Sequence, residues 1–341
     1  MFDAVFVGGG VIGLASAFRA QERGLTVCVL ERDRAGSGAS RVAAGILAPE
    51  SEAEPGHEPF VPLARRSLEL YPGFVAALDA DVGFWQCGML TVALDADEAA
   101  VIRREPGFTS WLTASECRVL EPGLSPVVAG GWFSDVEASV DPRRLVAALA
   151  ARVPVREGVE VVGVTRDSVT LANGEEISAG RVVVAAGAWS GLVGVPVRPV
   201  KGQVVRLRGE LPAEHMVRTE HVYVVPRRNG EVVVGATAEE RGFDTTVTAG
   251  GVHELLREAY RVLPEVAELE FVDVSAGLRP GSPDNGPLIG ELEDGVLVAT
   301  GHYRNGILLA PVTAEAVAAL VAGETPHEVA RPFAPDRFVR V

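Results

Sequence analysis

The chain has 341 residues, of which 48% are hydrophobic and 23% are charged, and its formal net charge is −15. This length indicates roughly two domains, and the apolar fraction is enough for sizeable cores, which excludes a disordered or fibrous protein. The strong negative charge repels nucleic-acid phosphates and anionic membrane surfaces, so we expect neither as a partner.

Cysteine use is sparse and gives no sign of a metal centre. The three cysteines, Cys28, Cys87 and Cys117, are widely spaced, with no CxxC pair and no metal-ligand spacing. We therefore predict no metal site and a reducing, cytoplasmic location. No basic segment precedes the first apolar run, and the longest apolar stretch, residues 4–18, is shorter than the ~20 residues that span a bilayer. These features predict a soluble protein.

The N-terminal residues predict a βαβ unit. Residues 4–7 form a short apolar run, typical of a buried strand, that ends in Gly8-Gly9-Gly10. Residues 11–23 have helical character and end at Gly24, a favourable residue after a helix. Residues 26–30 are again apolar and predict a second buried strand. Strand, helix and strand in this order are the elements of a βαβ unit.

The central part of the chain mixes helical and extended patterns. We predict a strand and three helices, over residues 89–94, residues 61–78, Thr113 to about Pro122, and residues 141–152. Pro72 is expected to kink or break the first of these helices. The capping box Thr113-x-x-Glu116 and the pair Asp141-Pro142 mark where the other two begin. The acidic, proline-bearing residues 50–62 predict a mobile loop.

The second half is dominated by β signals. Strands are predicted over residues 159–165, 168–171, 181–185, 204–207, 222–225, 232–234 and 296–299. Asn173-Gly174 and Asn229-Gly230 predict hairpin turns. Residues 252–263 and 307–321 predict helices. Because no single linker divides the chain, we expect interleaved domains.

A glycine motif follows the first predicted strand: Gly8-x-Gly10-x-x-Gly13. In dinucleotide-binding folds the first glycine makes a tight turn, the second lets the backbone approach a pyrophosphate, and the third allows close helix packing. The N-terminus of the following helix adds N–H donors and a positive dipole for phosphates. Glu31 ends the next strand, where its carboxylate can accept hydrogen bonds from ribose hydroxyls. Together these features predict a dinucleotide site.

Three further segments fit a planar cofactor, and each also has an ordinary structural explanation. Residues 37–49 are rich in small side chains, which allow a backbone to lie against a flat ring but are also typical of a surface loop. Arg279 lies between an apolar strand and a Pro-Gly turn, where an arginine is often only solvated. Residues 301–306 lead into the last helix, whose N-terminus can stabilise negative charge or simply be capped.

Taken in this order, these motifs resemble the D-amino-acid oxidase and glycine oxidase superfamily, and within it the FAD-dependent glycine oxidases of bacterial thiamine biosynthesis. The resemblance extends over nearly the whole chain. Further segments that carry it are residues 182–190 (VVVAAGAWS), 199–203 (PVKGQ), 223–227 (YVVPR), 235–237 (GAT), 276–281 and 301–306. Each segment is short, and it is their joint occurrence that is specific.

This resemblance implies an α/β fold in which a Rossmann-like FAD-binding domain is interleaved with a substrate domain built on an antiparallel sheet. The expected FAD-binding domain comprises residues 1–78, 141–200 and 277–341, and the expected substrate domain comprises residues 79–140 and 201–276. Sarcosine oxidase relatives attach the flavin through a cysteine late in the chain. The last cysteine here is Cys117, so we expect FAD to be bound noncovalently.

The resemblance also implies roles for individual residues. Arg279 is expected to bind the substrate carboxylate, Tyr223 to help position it, and Arg304 to lie near flavin and substrate. The residues expected to bind FAD are Gly8, Gly10, Val11, Ile12, Gly13, Glu31, Arg32, Ser40, Ala43, Ala44, Gly45, Ile46, Val161, Ala186, Gly187, Gly277, Arg279, Arg304, Asn305, Gly306 and Ile307. Two departures leave substrate size open: Arg218 replaces a second pocket tyrosine of some glycine oxidases, and Ala238 replaces a bulky residue.

The implied activity is oxidation of a small amino acid, glycine or sarcosine, to an imine and then glyoxylate, with dioxygen as acceptor and peroxide as product. The alternatives are a D-amino-acid dehydrogenase or sarcosine-type enzyme that uses another acceptor, an inactive flavin-holding subunit, and an NAD-dependent dehydrogenase. Arg279 and Tyr223 argue against the inactive subunit, and the motifs after residue 150 favour flavin over NAD. We also expect a homo-oligomer. Lys201, the only lysine among 31 basic residues, is either irreplaceable by arginine or a chance survivor.

Overall fold

A computed structural model describes residues 1–52, 58–104 and 108–338. Within these ranges the chain forms 18 β-strands and eight α-helices. The strands are β1 (Phe2–Val7), β2 (Val27–Leu30), β3 (Ile46–Leu47), β4 (Met89–Ala93), β5 (Leu112–Thr113), β6 (Gly130–Ser134), β7 (Ala138–Ser139), β8 (Val155–Arg156), β9 (Val161–Val164), β10 (Ser168–Leu171), β11 (Glu176–Val184), β12 (Arg198–Arg208), β13 (Met216–Arg218), β14 (Tyr223–Pro226), β15 (Glu231–Gly235), β16 (Glu270–Gly281), β17 (Leu288–Glu291) and β18 (Leu297–Thr300). The helices are α1 (Val11–Glu22), α2 (Ala39–Val42), α3 (Phe60–Ala77), α4 (Ala96–Ile102), α5 (Ala114–Leu120), α6 (Pro142–Ala150), α7 (Ala249–Val262) and α8 (Ala310–Val321).

The first sheet is largely parallel and has the strand order β17-β18-β11-β1-β2-β8, with β10 and β9 attached beside β11. Strand β1 lies between β11 and β2 and runs parallel to both. All four residues of β2 and the last four of β1 are buried, as is typical of parallel strands covered on both faces. Helices α1, α3, α6 and α8 contribute to the core on this sheet. The predicted Rossmann-like α/β fold is thus confirmed.

The second sheet has the order β16-β12-β15-β14-β13-β4-β6-β5 and is antiparallel except where β13 runs parallel to β4. Strands β12 and β16 form its longest pair, from Arg198 opposite Gly281 to Arg208 opposite Glu270. Valines and leucines on one face of this sheet pack with α5 and α7 in a separate core. None of the helices in the described ranges is long and apolar enough to span a bilayer.

The predicted interruption at Pro72 is wrong, because α3 continues through this proline. Tyr71 and Phe74 on either side are fully buried, and the Tyr71 hydroxyl donates a hydrogen bond of 2.6 Å to the Ile307 carbonyl. Tertiary packing therefore holds the helix together at a residue that lacks a backbone donor. Of the predicted loop over residues 50–62, the last three residues begin α3, and residues 53–57 lie outside the described part of the chain.

Two other predictions need correction in the C-terminal half. Arg279 does not follow a strand but lies within β16, which continues through Gly281 because β12 pairs with it along its length. The last helix begins at Ala310 and not at Ile307, and the preceding residues form turns closed by a hydrogen bond from Leu309 N–H to the Asn305 carbonyl. Pro311 lies in the first turn of α8, where proline is favoured, and it indicates the observed start.

Glu137, between β6 and β7, is fully buried and anchors the segment that precedes α3. The Ser51 amide and hydroxyl donate hydrogen bonds of 2.8 and 2.7 Å to Glu137 Oε1. Oε2 has no hydrogen-bond partner among the described residues. Burial raises the pKa of Glu137 to about 8, and the two donors from Ser51 oppose this change without overcoming it.

This pKa predicts a pH-dependent contribution to stability. The ordinary pKa is 4.5, so between about 4.5 and 8 the folded chain retains a proton that the unfolded chain has lost. The free energy of unfolding therefore contains a contribution that is complete below pH 4.5 and declines until pH 8, by at most about 1.4 kcal/mol per pH unit.

Glu137→Gln keeps the shape of the protonated side chain and cannot titrate. We expect its unfolding free energy, measured in urea, to rise relative to that of the original protein as the pH increases from 5 to 8. Parallel pH profiles for the two proteins would show that Glu137 keeps an ordinary pKa.

Candidate cofactor and substrate site

A cavity of about 960 Å³ is lined by residues from both large sheets. It brings together every residue that the sequence predicted for the site, with the exception of Gly13. Gly13 lies just behind the wall, where an added Cβ would overlap the carbonyl oxygen of Gly8. This agrees with its predicted role in close packing between helix and strand.

One end of the cavity is formed by the turn between β1 and α1. A Cβ at Gly10 would meet only the Ser40 hydroxyl within 4 Å, at 3.5 Å, so this side of the turn opens onto the cavity. Gly10, the residue before α1, has no side chain that could cap the helix. Ser40 Oγ accepts a hydrogen bond of 3.0 Å from Val11 N–H. The positive end of α1 therefore faces the cavity, an arrangement suited to a phosphate group.

Glu31 lines this end of the cavity and is held by two backbone groups. Gly9 N–H donates to its Oε2 at 2.7 Å, and Asp33 N–H donates to its Oε1 at 2.8 Å. A carboxylate has about four acceptor positions, so both oxygens retain capacity for hydroxyl donors. Beside it, the Arg32 guanidinium lies 4.7 Å from the centroid of the Trp189 ring. Val161, Ala186 and Gly187 line the same region.

The flat segment Ala43, Ala44, Gly45 and Ile46 forms another wall, and buried arginines hold its backbone. Arg227 donates to the Ala44 carbonyl at 2.6 Å, and Arg206 donates to the Ala43 carbonyl at 3.3 Å. Both guanidinium groups also pair with Glu231 at 3.1 Å. Neither arginine was predicted as a site residue, although Arg227 belongs to the YVVPR segment.

The loop before α8 forms the wall that contains Arg304, Asn305, Gly306 and Ile307. Tyr303 has a left-handed backbone, with φ of 48°, and its N–H donates to the Pro280 carbonyl at 2.9 Å. A bulky residue in this conformation stores backbone strain, which is common at binding sites. His302 is buried against the Thr313 hydroxyl at 3.0 Å, and burial lowers its pKa to about 3, so its imidazole is neutral.

Arg279 reaches the cavity across the neighbouring strand. Its guanidinium lies over Gly202 of β12, where any Cβ would overlap it, and it donates to the Thr237 carbonyl at 2.9 Å. Burial lowers the pKa of Arg279 from its usual value, and Tyr223 acts in the opposite direction. Burial likewise raises the pKa of Tyr223, so its hydroxyl stays protonated and available as a donor. The predicted pair thus lies in one place, and Gly202 explains part of the PVKGQ segment.

Lys201 and Gln203, also in the PVKGQ segment, hold the loop that follows β15. Lys201 is 1% exposed, and its ammonium lies 2.9 Å from Asp244 and 3.6 Å from Glu239. Gln203 donates to Glu239 at 2.7 Å and accepts from Thr248 N–H at 2.9 Å. These contacts fix the chain on both sides of Phe243, which lines the cavity, and they supply the counter-charges that the buried ammonium of Lys201 needs.

Comparison with known proteins identifies the family of this chain. The sequence profile of the family described as FAD dependent oxidoreductase matches residues 3–320. The chain belongs to this family.

Among relatives, this FAD-dependent oxidoreductase is 35% identical to the bifunctional protein ThiO/ThiG of Trichormus variabilis over 98% of its own length and 55% of that protein. It thus spans about half the length of the first curated relatives that it matches. It is also 35% identical to the glycine oxidase of Geobacillus kaustophilus, over 99% of this chain and 97% of that protein.

Solved structures give the same result. The crystal structure of glycine oxidase from Geobacillus kaustophilus has a TM-score of 0.93 and 34% identity, with 99% of each chain covered. Glycine oxidase from Bacillus cereus has a TM-score of 0.88 and 31% identity, with 96% of this chain and 97% of that chain covered.

The cavity fits FAD in size and in its donor groups. Its volume lies within the roughly 300–1,000 Å³ usual for ligand sites. The open turn at Gly10 and the N-terminus of α1 suit a pyrophosphate, and the carboxylate of Glu31 suits ribose hydroxyls. Between these groups and Arg279 lies the clamped segment of small residues from Ala43 to Ile46, against which a flat ring can pack.

Glu31→Ala is predicted to weaken FAD binding. Hydrogen bonds to a charged acceptor contribute about 1.5–3 kcal/mol, so the FAD dissociation constant should rise about tenfold to a hundredfold. Titration of apoprotein with FAD, followed by flavin fluorescence, measures this change.

The matched control is Asp33→Ala, which removes a neighbouring carboxylate that also lines the cavity but keeps the N–H that Glu31 accepts. We expect this control to bind FAD nearly as tightly as the original protein. Equal dissociation constants for Glu31→Ala and the original protein would remove Glu31 from the cofactor site.

Proposed function

We propose that this chain oxidises the amine of a small amino acid, glycine or sarcosine, to the imine, which hydrolyses to glyoxylate. The observation that carries the proposal is the position of Arg279, a partly buried guanidinium that faces the cavity beside the Tyr223 hydroxyl and the clamped loop. The relatives named glycine oxidase support the substrate class. A small substrate has little apolar surface to bury, so its charged carboxylate must supply most of its orientation.

Arg279 and Tyr223 would bind that carboxylate. A guanidinium can bind both carboxylate oxygens through a rigid fork and remains charged when buried. The Thr237 carbonyl fixes the guanidinium from behind at 2.9 Å, which limits the directions in which its other N–H groups can donate. Fixing the carboxylate fixes the substrate Cα as well, and such positioning can supply a large part of an enzyme's rate enhancement over the uncatalysed reaction.

FAD, held by the turn at Gly10, Glu31 and the segment from Ala43 to Ile46, would supply two-electron oxidation: the Cα hydride and a proton from the iminium nitrogen would together reduce dioxygen to hydrogen peroxide. The chain's part is to bind the amine in its neutral form, hold Cα in place and exclude water. The wall formed by the loop before α8 contains the cation of Arg304 and the imidazole of His302. Because this imidazole is neutral, His302 adds no charge to the wall near pH 7. No acid–base side chain is required for this chemistry.

We further propose that the imine, where it is not hydrolysed to glyoxylate, feeds thiazole synthesis in the thiamine pathway, a role supported by the relatives named ThiO/ThiG. The alternative on the same fold is a dehydrogenase that passes electrons to a carrier instead of dioxygen. We also propose that the chain divides into the FAD-binding and substrate domains at the boundaries expected from the resemblance, since the two sheets belong largely to different segments.

The proposed reaction is tested by assaying peroxide with glycine, sarcosine, D-alanine, D-proline and larger D-amino acids. The proposal expects the highest kcat/KM for glycine or sarcosine. Rapid mixing of the substrate-reduced enzyme with air-saturated buffer separates the alternatives. Negligible reoxidation by dioxygen, together with rapid reoxidation by a dye or quinone, would establish a dehydrogenase.

Arg279→Ala is predicted to lower kcat/KM by about 30-fold to a few thousand-fold, because removing one partner of a desolvated ion pair costs about 2–5 kcal/mol. Arg279→Lys should also fail, because a point charge cannot hold both carboxylate oxygens. The bound FAD, measured from its absorbance, should stay near one per chain in both variants. Turnover of glycine and sarcosine within a few-fold of the original protein would place the carboxylate anchor elsewhere, with Arg304 the next candidate.

A further inference from the structure

A second ion pair lies at the substrate end of the cavity. Glu52 and Arg218 both line it, and the Glu52 carboxylate lies 3.6 Å from Arg218 Nε. Their side chains are 14% and 22% exposed, so both charges are largely removed from solvent. Arg218 is the residue that stands where some glycine oxidases have a second pocket tyrosine, and neither member of the pair has a part in the reaction proposed above.

The strand register places this pair beside the carboxylate anchor. Arg218 of β13 lies directly opposite Tyr223 of β14 in an antiparallel pair, so the two side chains lie on the same face of the sheet. Burial is the main cause of the altered pKa values of Tyr223 and Arg279, and the Glu52 carboxylate acts on both groups as well. The Glu52–Arg218 pair is therefore one side chain away from the site where the substrate carboxylate would bind.

Glu52 is also held in place by the segment that carries it. The neighbouring Ser51 is buried and donates two hydrogen bonds to Glu137. One residue earlier, Glu50 pairs with Arg65 of α3 at 2.5 Å. The two residues that precede Glu52 are thus anchored to separate elements, which limits how far the Glu52 carboxylate can move away from the cavity.

We propose that the Glu52–Arg218 pair restricts the substrate to amines that carry a single carboxylate. This inference rests on the proposed function, because it takes Arg279 and Tyr223 as the anchor of the first carboxylate. A second carboxylate on the same molecule, attached to nitrogen or to Cα, would have to enter beside Glu52. There it meets a pair whose charges cancel, so it loses its hydration without gaining a net counter-charge.

Changing one member of the pair at a time should therefore move selectivity in opposite directions. Glu52→Gln removes the negative charge and leaves the pocket with an additional positive one, which favours a dicarboxylate. Arg218→Gln removes the positive charge and disfavours it. The double variant restores the original sum of charges, so its selectivity should return close to that of the original protein. A unit charge this near to a buried carboxylate shifts its binding by about tenfold or more.

The test uses two ligands that differ only in the second carboxylate. Methoxyacetate and oxydiacetate are ether analogues of sarcosine and of N-carboxymethylglycine, and they contain no amine to be oxidised. Their dissociation constants from the FAD-loaded protein are measured by calorimetry, and the ratio of the two constants reports selectivity. The matched control is Glu220→Gln, which changes an exposed carboxylate that also lines the cavity.

We expect Glu52→Gln to shift the ratio of dissociation constants about tenfold in favour of oxydiacetate binding, and Arg218→Gln to shift it about tenfold against oxydiacetate binding. The double variant and Glu220→Gln should change the ratio little. An unchanged ratio in Glu52→Gln would overturn the inference, and so would an equal shift in Glu220→Gln, which would show a general effect of net charge. Because ligand binding needs no turnover, the two failures can be told apart. A protein that shows these shifts but oxidises neither glycine nor sarcosine would refute the proposed reaction, while the discrimination of the pair against a second carboxylate on a bound ligand would remain.

Discussion

The partly buried guanidinium of Arg279 is the feature on which the rest of the site depends. A charge in a cavity is costly unless it is hydrogen-bonded, and here the Thr237 carbonyl at 2.9 Å meets part of that cost. Nη1, which donates to Thr237, also donates to the Lys201 carbonyl, at a longer 3.5 Å, and a carboxylate that enters the cavity would be a strong partner for the other N–H groups. The same desolvation that lowers the pKa of Arg279 strengthens its attraction for such a ligand.

This arrangement requires the pairing of β12 with β16 at close range. Arg279 and Val200 are register partners, and the guanidinium folds back over Gly202, two residues further along β12. The loop that supplies the Thr237 carbonyl is in turn fixed by Lys201 and Gln203 on the same strand. A single short segment of β12 therefore makes room for Arg279 and holds the group that orients it.

Hydrogen bonds to backbone carbonyls also hold the wall against which a flavin would pack. Segment Ala43–Ile46 has few side-chain atoms of its own, so its shape depends on what binds its backbone carbonyls. Arg206 and Arg227, which are 0% and 5% exposed, donate to Ala43 and Ala44 and share the Glu231 carboxylate. Removing these carbonyls from solvent is tolerated because each has a charged donor.

The parts of the site that are local in sequence could be predicted from it. The turn at Gly8–Gly13 and the position of Glu31 follow from one βαβ unit, in which spacing along the chain determines spacing in the fold. Arg279 could be assigned only by resemblance, since the turn predicted at Pro280 and Gly281 concealed that the strand continues through Arg279, which it does because β12 pairs with it.

The residues that the sequence did not reveal act through long-range contacts. Arg206 and Arg227 are ordinary arginines by composition, a residue type that is mostly exposed, and only the fold shows that they are buried. Glu52 reads as one of several acidic residues in a predicted loop, and its pairing with Arg218 joins segments far apart in the chain. The buried position of Lys201 gives a physical reason for a lysine there and favours that explanation over chance.

Ligand binding tests, without turnover, whether Arg279 orients the substrate through its carboxylate. Acetate and ethylamine carry the two charged groups of glycine separately. Their dissociation constants from the FAD-loaded protein can be followed by perturbation of the flavin absorbance. We expect acetate to bind, ethylamine to bind much more weakly, and Arg279→Lys to weaken acetate binding about tenfold or more while FAD is retained. Equal acetate affinity in Arg279→Lys and the original protein would contradict this role of Arg279.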